Sequence, residues 1–139
     1  MKIINTSTFV LLICLAGCNE GDNIPDNMGN EISGTWFWLE STGGIAGWTI
    51  TPASTGDSVR LVFTTSNFEK HVNDTLRNEG PYTITEGPTI YDTQPGNILH
   101  IEGETTSSIV LQHSDTLLLR EECYDCYIQT FVRSVGSND

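Results

Sequence analysis

The sequence predicts an all-β domain, a small antiparallel up-and-down barrel of about eight strands. Three observations support this. From Ile32 onward, short runs rich in Val, Ile, Thr, Phe, Tyr and Trp recur, broken by Gly, Pro, Asn and Asp. No window of about 11 residues carries a convincing 3.6-residue apolar period. Most connections between the runs are tight turns, and a long meander escapes its open edges by closing on itself.

The expected strands are 34–40, 58–65, 68–73, 79–85, 97–102, 107–112, 115–121 and 126–133. Ser66-Asn67, Asn73-Asp74, Glu104-Thr105-Thr106 and His113-Ser114 read as hairpin connections. Two connections are longer. Residues 41–57 are glycine-rich but hold apolar Ile45, Trp48 and Ile50, which suggests a lid folded over one barrel end. Residues 86–96, with Gly87, Pro88, Pro95 and Gly96, read as a loop around the Ile90-Tyr91 pair.

The chain has 139 residues. Residues 1–17 read as a removable export signal. Lys2 precedes an apolar run from Phe9 to Ala16, far short of the ~20 residues a spanning helix needs. Residues 18–31 form an acidic tether without apolar periodicity, too poor in burial to offset its ordering entropy. Residues 32–134 form the barrel domain, and 135–139 are a disordered tail. Six basic side chains face 18 acidic ones. Lys2 leaves with the signal, so five bases remain against the 18 acids, a net charge of −13. Such a charge repels phosphate backbones and argues against a nucleic-acid partner.

Leu15-Ala16-Gly17-Cys18 resembles the bacterial lipobox. The resemblance implies lipid attachment at the Cys18 sulfur, cleavage before Cys18 and acylation of the new amino terminus. Two or three acyl chains anchor durably, at ~0.8 kcal/mol per buried methylene. Asn19 is not the Asp that in enteric bacteria signals inner-membrane retention, which points to the outer membrane. Glu20 and Asp22 resemble the export signal of surface lipoproteins of the Bacteroides group and imply cell-surface exposure. A merely solvated tail is the alternative.

Gly34-Thr35-Trp36 at the first strand resembles the Gly-X-Trp signature of lipocalins, and Arg133 on the last strand resembles their arginine packed across that tryptophan. Residues 33–133 look more closely like small bacterial lipocalin-like domains of lipoproteins. The shared pieces are Gly-Thr-Trp, Gly43-Gly44-Ile45-Ala46-Gly47, Thr51-Pro52-Ala53-Ser54-Thr55-Gly56 and the terminal Tyr127-Ile128-Gln129-Thr130-Phe131-Val132-Arg133. The resemblance implies a structural Trp36–Arg133 closure, worth roughly 1–2 kcal/mol when desolvated. The chain is shorter than a typical lipocalin and has no evident C-terminal helix. That implies a small barrel mostly filled by its own side chains.

Cys123-Tyr124-Asp125-Cys126 is the most tempting chemical motif. A local disulfide, free thiols, and a metal or redox site are the three readings. A turn brings residues i and i+3 within reach of a disulfide, and export permits one. Flanking Glu121, Glu122 and Asp125 would raise a thiol pKa, against redox catalysis. Zinc would need two further ligands. His113-Ser114-Asp115 has the letters of a hydrolase triad, but adjacent side chains on a strand point to opposite faces. Glu102 and Glu104 fall at a solvated hairpin tip, unsuited to a general acid. His100 and His113 could approach across paired strands but lack a third ligand, and His71 is expected at the surface. Asp57-Ser58-Val59, Asp74-Thr75-Leu76 and Asp115-Thr116-Leu117 match the O-glycosylation pattern of Bacteroides-type exported proteins and are equally ordinary turn signals.

Trp36, Trp38 and Trp48 concentrate aromatic surface near the start of the domain. Trp36 is expected in the core, and Trp38 and Trp48 are candidate ligand-binding residues at a barrel mouth. An inward-pointing arginine among Arg60, Arg120 and Arg133 could hold a ligand carboxylate. No acid, base or nucleophile cluster assembles, so no enzyme, metal or cofactor is expected. The leading expectation is non-catalytic binding of a small, largely apolar ligand in the barrel or at its mouth. The competing one is a protein-interaction or envelope-scaffold module, such as an enzyme inhibitor, with no ligand cavity. The membrane, through the lipid anchor, is the one expected partner of defined chemistry.

Overall fold

The computed structural model describes residues 32–133. The expected signal peptide, Cys18, the tether and the C-terminal tail lie outside the described residues. Nine strands form one antiparallel sheet: β1 (Gly34–Gly43), β2 (Trp48–Ile50), β3 (Val59–Phe63), β4 (Asn67–Val72), β5 (Thr75–Gly87), β6 (Gly96–Ile101), β7 (Ser108–His113), β8 (Thr116–Glu121) and β9 (Tyr127–Arg133). β1 also pairs with β9, so β1 and β3–β9 close into an eight-strand up-and-down barrel. All eight expected strands are present. β5 begins earlier than expected, at Thr75, because Asn73 and Asp74 take positive φ values (51° and 60°) and reverse the chain in two residues.

The segment 41–57 is not a loose lid. β1 runs on to Gly43, turns, and returns as β2, pairing Gly43 with Trp48 and Ser41 with Ile50. A one-turn helix, α1 (Pro52–Thr55), follows. Thr51 caps it, with Ser54 reaching back to the Thr51 backbone and Pro52 opening the first turn. Ile45 and Trp48 do not fold over the barrel; they stand 93% and 66% exposed.

The interior is packed with side chains from every barrel strand. Trp36, Phe131, Leu117 and Ile32 are almost wholly buried. Leu61, Phe63, Phe68, Tyr82, Leu99, Val110 and Leu119 complete the same core. Phe63 meets Phe68 at 5.2 Å between ring centroids and Tyr82 edge-on at 5.1 Å. The Tyr82 hydroxyl donates to the Thr64 carbonyl at 2.7 Å. Burial pushes the Tyr82 phenol up, and a hydrogen bond with Ser33 partly pulls it back.

Trp36 and Arg133 are register partners across the β1–β9 seam. The Arg133 guanidinium carbon lies 4.5 Å from the Trp36 ring centroid. Trp36 Nε1 donates to the Ile32 carbonyl at 2.7 Å, which pins the entering chain across this barrel end. Gly34 stands at φ +134°, a backbone conformation that side-chain-bearing residues rarely adopt, with the guanidinium against its open side.

Residues 88–95 cross the outside of the barrel. Ile98 and Ile109 are buried although they alternate with the inward residues Leu99 and Val110. Tyr91 holds this strap down: its hydroxyl donates to the carbonyls of Glu121 and Cys123, and the Arg120 guanidinium stacks 3.2 Å over its ring.

Replacing Trp36 by Ala should cost roughly 3–5 kcal/mol, read as a shift in the denaturation midpoint. Arg133→Ala should destabilise less but measurably. An unaltered midpoint for both would mean the seam does not depend on this pair.

Candidate functional site

Alternation along each strand decides what faces the interior. On β3, Leu61 and Phe63 are buried inside, so their register partners Lys70 and Phe68 on β4 share that face. Lys70 therefore points into the barrel. His71 sits one residue on, half-buried, with Nε2 2.8 Å from Glu69 Oε2.

Two small cavities meet at Lys70 and Gln129. The first, of about 140 Å³, is lined by Trp38, Ser41, Val59, Lys70, Gln129 and Phe131. The second, of about 110 Å³, has an apolar floor that includes Leu61, Phe68, Leu99 and Leu119. Its polar rim holds Glu104, Ser108, Glu121 and Gln129. Asn78 Nδ2 donates to Glu104 Oε1 at 2.8 Å and fixes that rim residue against β5. Each space is well below the ~300 Å³ at which ligand pockets begin. Aromatic and branched side chains have taken the volume that a sizeable apolar ligand would need. Trp38 lines the first cavity; Trp48 lines neither and stands in solvent on β2.

The three strand arginines are otherwise engaged. Arg133 packs on Trp36, Arg120 on Tyr91 outside the barrel, and Arg60 pairs in register with His71 on the outward face. Among the described residues Lys70 forms no ion pair. Its place was readable in principle: Phe68, Lys70 and Val72 share one parity, and the charge of Lys70 masked it.

A larger groove of about 350 Å³ lies at β7 and β8, lined by inward-facing Ile32, Asn97, Val110 and Gln112 as well as outward-facing Leu111, His113, Thr116 and Leu118. It opens onto an outward face laid out by register. One row runs Phe37, Val132, Thr116, His113 across β1, β9, β8 and β7; the next runs Glu40, Thr130, Leu118, Leu111. Phe37, Leu39 and Leu111 are 42%, 50% and 53% exposed.

Cys123 and Cys126 are joined in a disulfide, with α-carbons 5.6 Å apart. Glu121 offers a carboxylate within 4.8 Å of both sulfurs, but sulfurs bonded to each other are not thiolate ligands. Gly43 and Gly44 accommodate this turn. Gly44 N–H donates to the Cys126 carbonyl, and a Cβ on Gly43 would collide with that carbonyl.

The remaining chemical candidates do not converge. His100 is hydrogen-bonded to Ser107 and Thr85, whereas His113 pairs with Thr116 on the far side of β7. Ser114 and Asp115 form the β7–β8 turn, and the Asp115 carbonyl accepts from Arg133 N. No protein-family model matches the chain, and no curated protein and no solved structure matches it.

Because the disulfide closes only a four-residue turn, its loss should cost roughly 2 kcal/mol or less. Reduction, or the Cys123→Ser/Cys126→Ser pair, should leave the barrel's circular dichroism intact and lower its melting point modestly.

Proposed function

We propose that the chain is a lipid-anchored protein of the bacterial cell envelope, held at Cys18, whose barrel is a non-catalytic protein-interaction module. The observation that carries the interaction reading is the outward face of β7, β8, β9 and β1. In a chain with 18 acidic side chains, the outward positions of these four strands carry Phe37, Leu39, Ile128, Val132, Leu118 and Leu111. Their only acid is Glu40, and Arg120 is occupied by Tyr91. The outward positions of β3–β5 contrast, with Arg60, Glu69, His71, Arg77 and Glu79. Exposed apolar surface kept clear of charge is what protein contacts use. The lipobox at residues 15–18 and the tether that follows support the envelope address.

A large apolar ligand held wholly inside the barrel has less support, because the two spaces that meet at Lys70, of about 140 and 110 Å³, are too small for one and the groove of about 350 Å³ is half walled by outward-facing side chains. Catalysis has no support from the arrangement of His100, His113, Glu102 and Glu104.

Cys18→Ala should move the protein from the membrane fraction to the soluble one; unchanged retention would contradict lipid attachment. A photo-crosslinking residue at Phe37 or Leu111 should capture envelope protein in living cells, and the same probe at exposed Glu79 should not. Leu111→Glu should abolish capture at Phe37 while changing stability by less than about 0.5 kcal/mol. Equal capture at all three positions, or none, would refute the docking face.

A further inference from the structure

The first interior cavity differs chemically from the second. Three hydrogen-bond donors border it and no carboxylate does. Lys70 brings an ammonium without an ion pair among the described residues. Gln129 brings a side-chain amide that makes no hydrogen bond among the described residues. Ser41 Oγ accepts from Trp38 Nε1 at 2.9 Å, which occupies one of its two lone pairs and leaves its proton to be donated. Trp38, Val59 and Phe131 supply apolar walls. Glu104 and Glu121 border only the second cavity, which Lys70 and Gln129 also line.

We propose that this cavity binds a short-chain monocarboxylate, with its carboxylate on Lys70, Gln129 and Ser41 and its alkyl tail against Trp38, Val59 and Phe131. Lys70 is half-buried, and a carboxylate entering the open side of the cavity would meet its ammonium through charge-assisted hydrogen bonds. The size follows from the volume. About 140 Å³ equals the space of roughly five water molecules at ~30 Å³ each, so a small molecule of about five or six bonded heavy atoms fills it. Butanoate has that size. The overall negative charge does not forbid an anion, because charges beyond about 8 Å are screened at physiological ionic strength. The site lies inside the wall whose outer face carries the docking reading, and the two stand or fall separately.

The test is an NMR titration of the full-length chain. It follows the Trp38 indole and Gln129 side-chain amide signals with butanoate, 1-butanol, butylammonium and inorganic phosphate as probes. Butanoate should shift both signals saturably, and at least tenfold more tightly than the other three. Lys70→Met should weaken butanoate at least tenfold and leave 1-butanol unchanged; Lys70→Arg should retain a preference for the acid. Equal response to butanoate and butanol in the unmutated chain would overturn the role of Lys70 without relying on any variant's folding. Equal response to phosphate would overturn the apolar walls. No response at Trp38 to any probe would overturn the site.

Discussion

Pairing of β1 with β9 is the constraint on which the rest depends. β1 must satisfy two neighbours along its whole length, yet β3 reaches only as far as Phe37 in direct register. Ser41–Gly43 would present an open edge on that side, and β2 returns to cover it. The hairpin tip then stands clear of the barrel, which is why Ile45 and Trp48 are exposed rather than folded inward. At the other end of the seam, Trp36 fills the space between the first and last strands under Arg133. Closure uses the largest side chain in the core and leaves correspondingly little room for anything else.

A bulge within β1 sets the character of what room remains. Trp38 pairs with Phe131, but Glu40, not Leu39, pairs with Thr130. The extra residue reverses the inward–outward phase of the strand. With unbroken alternation from Trp36 and Trp38, Glu40 would point into the barrel beside Lys70. Instead Ser41 does, opposite Gln129, and Glu40 turns outward. A one-residue insertion thus exchanges a carboxylate for a hydroxyl in the first cavity and keeps Lys70 without a counter-ion there.

The strands were legible in the sequence because their alternation and turn residues agree, as in Val59, Leu61 and Phe63 followed by the Asn67 turn region and Phe68. Consecutive apolar pairs such as Ile98-Leu99 and Ile109-Val110 also have a physical meaning: the 88–95 strap buries the outer member of each. The bulge at Leu39 leaves no mark in a pattern read by parity alone, so the inward place of Ser41 was hidden. Lys70 was hidden for a different reason, since its charge argued for solvent while its parity argued for the interior. The turn of helix at Pro52–Thr55 was too short for periodicity, although Thr51-Pro52 with Ser54 carries a capping signature that could have revealed it.

The two proposed sites, inner and outer, belong to different affinity regimes. The very best small ligands reach about 1.5 kcal/mol per heavy atom, so six atoms supply at most about 9 kcal/mol and ordinarily far less. A ligand bound that way is held weakly and exchanges readily, which suits a molecule present at high concentration. The outer face is not limited by volume. Rows of cross-strand side chains from β1 to β7 can contribute to an interface of the standard ~1,600 Å². Filling the barrel with Trp36, Phe131 and Leu117 therefore moves the capacity for tight binding from the interior to the wall. It is the wall, where β1 and β7–β9 carry Glu40 and Arg120 as their outward charges, that can make a durable contact.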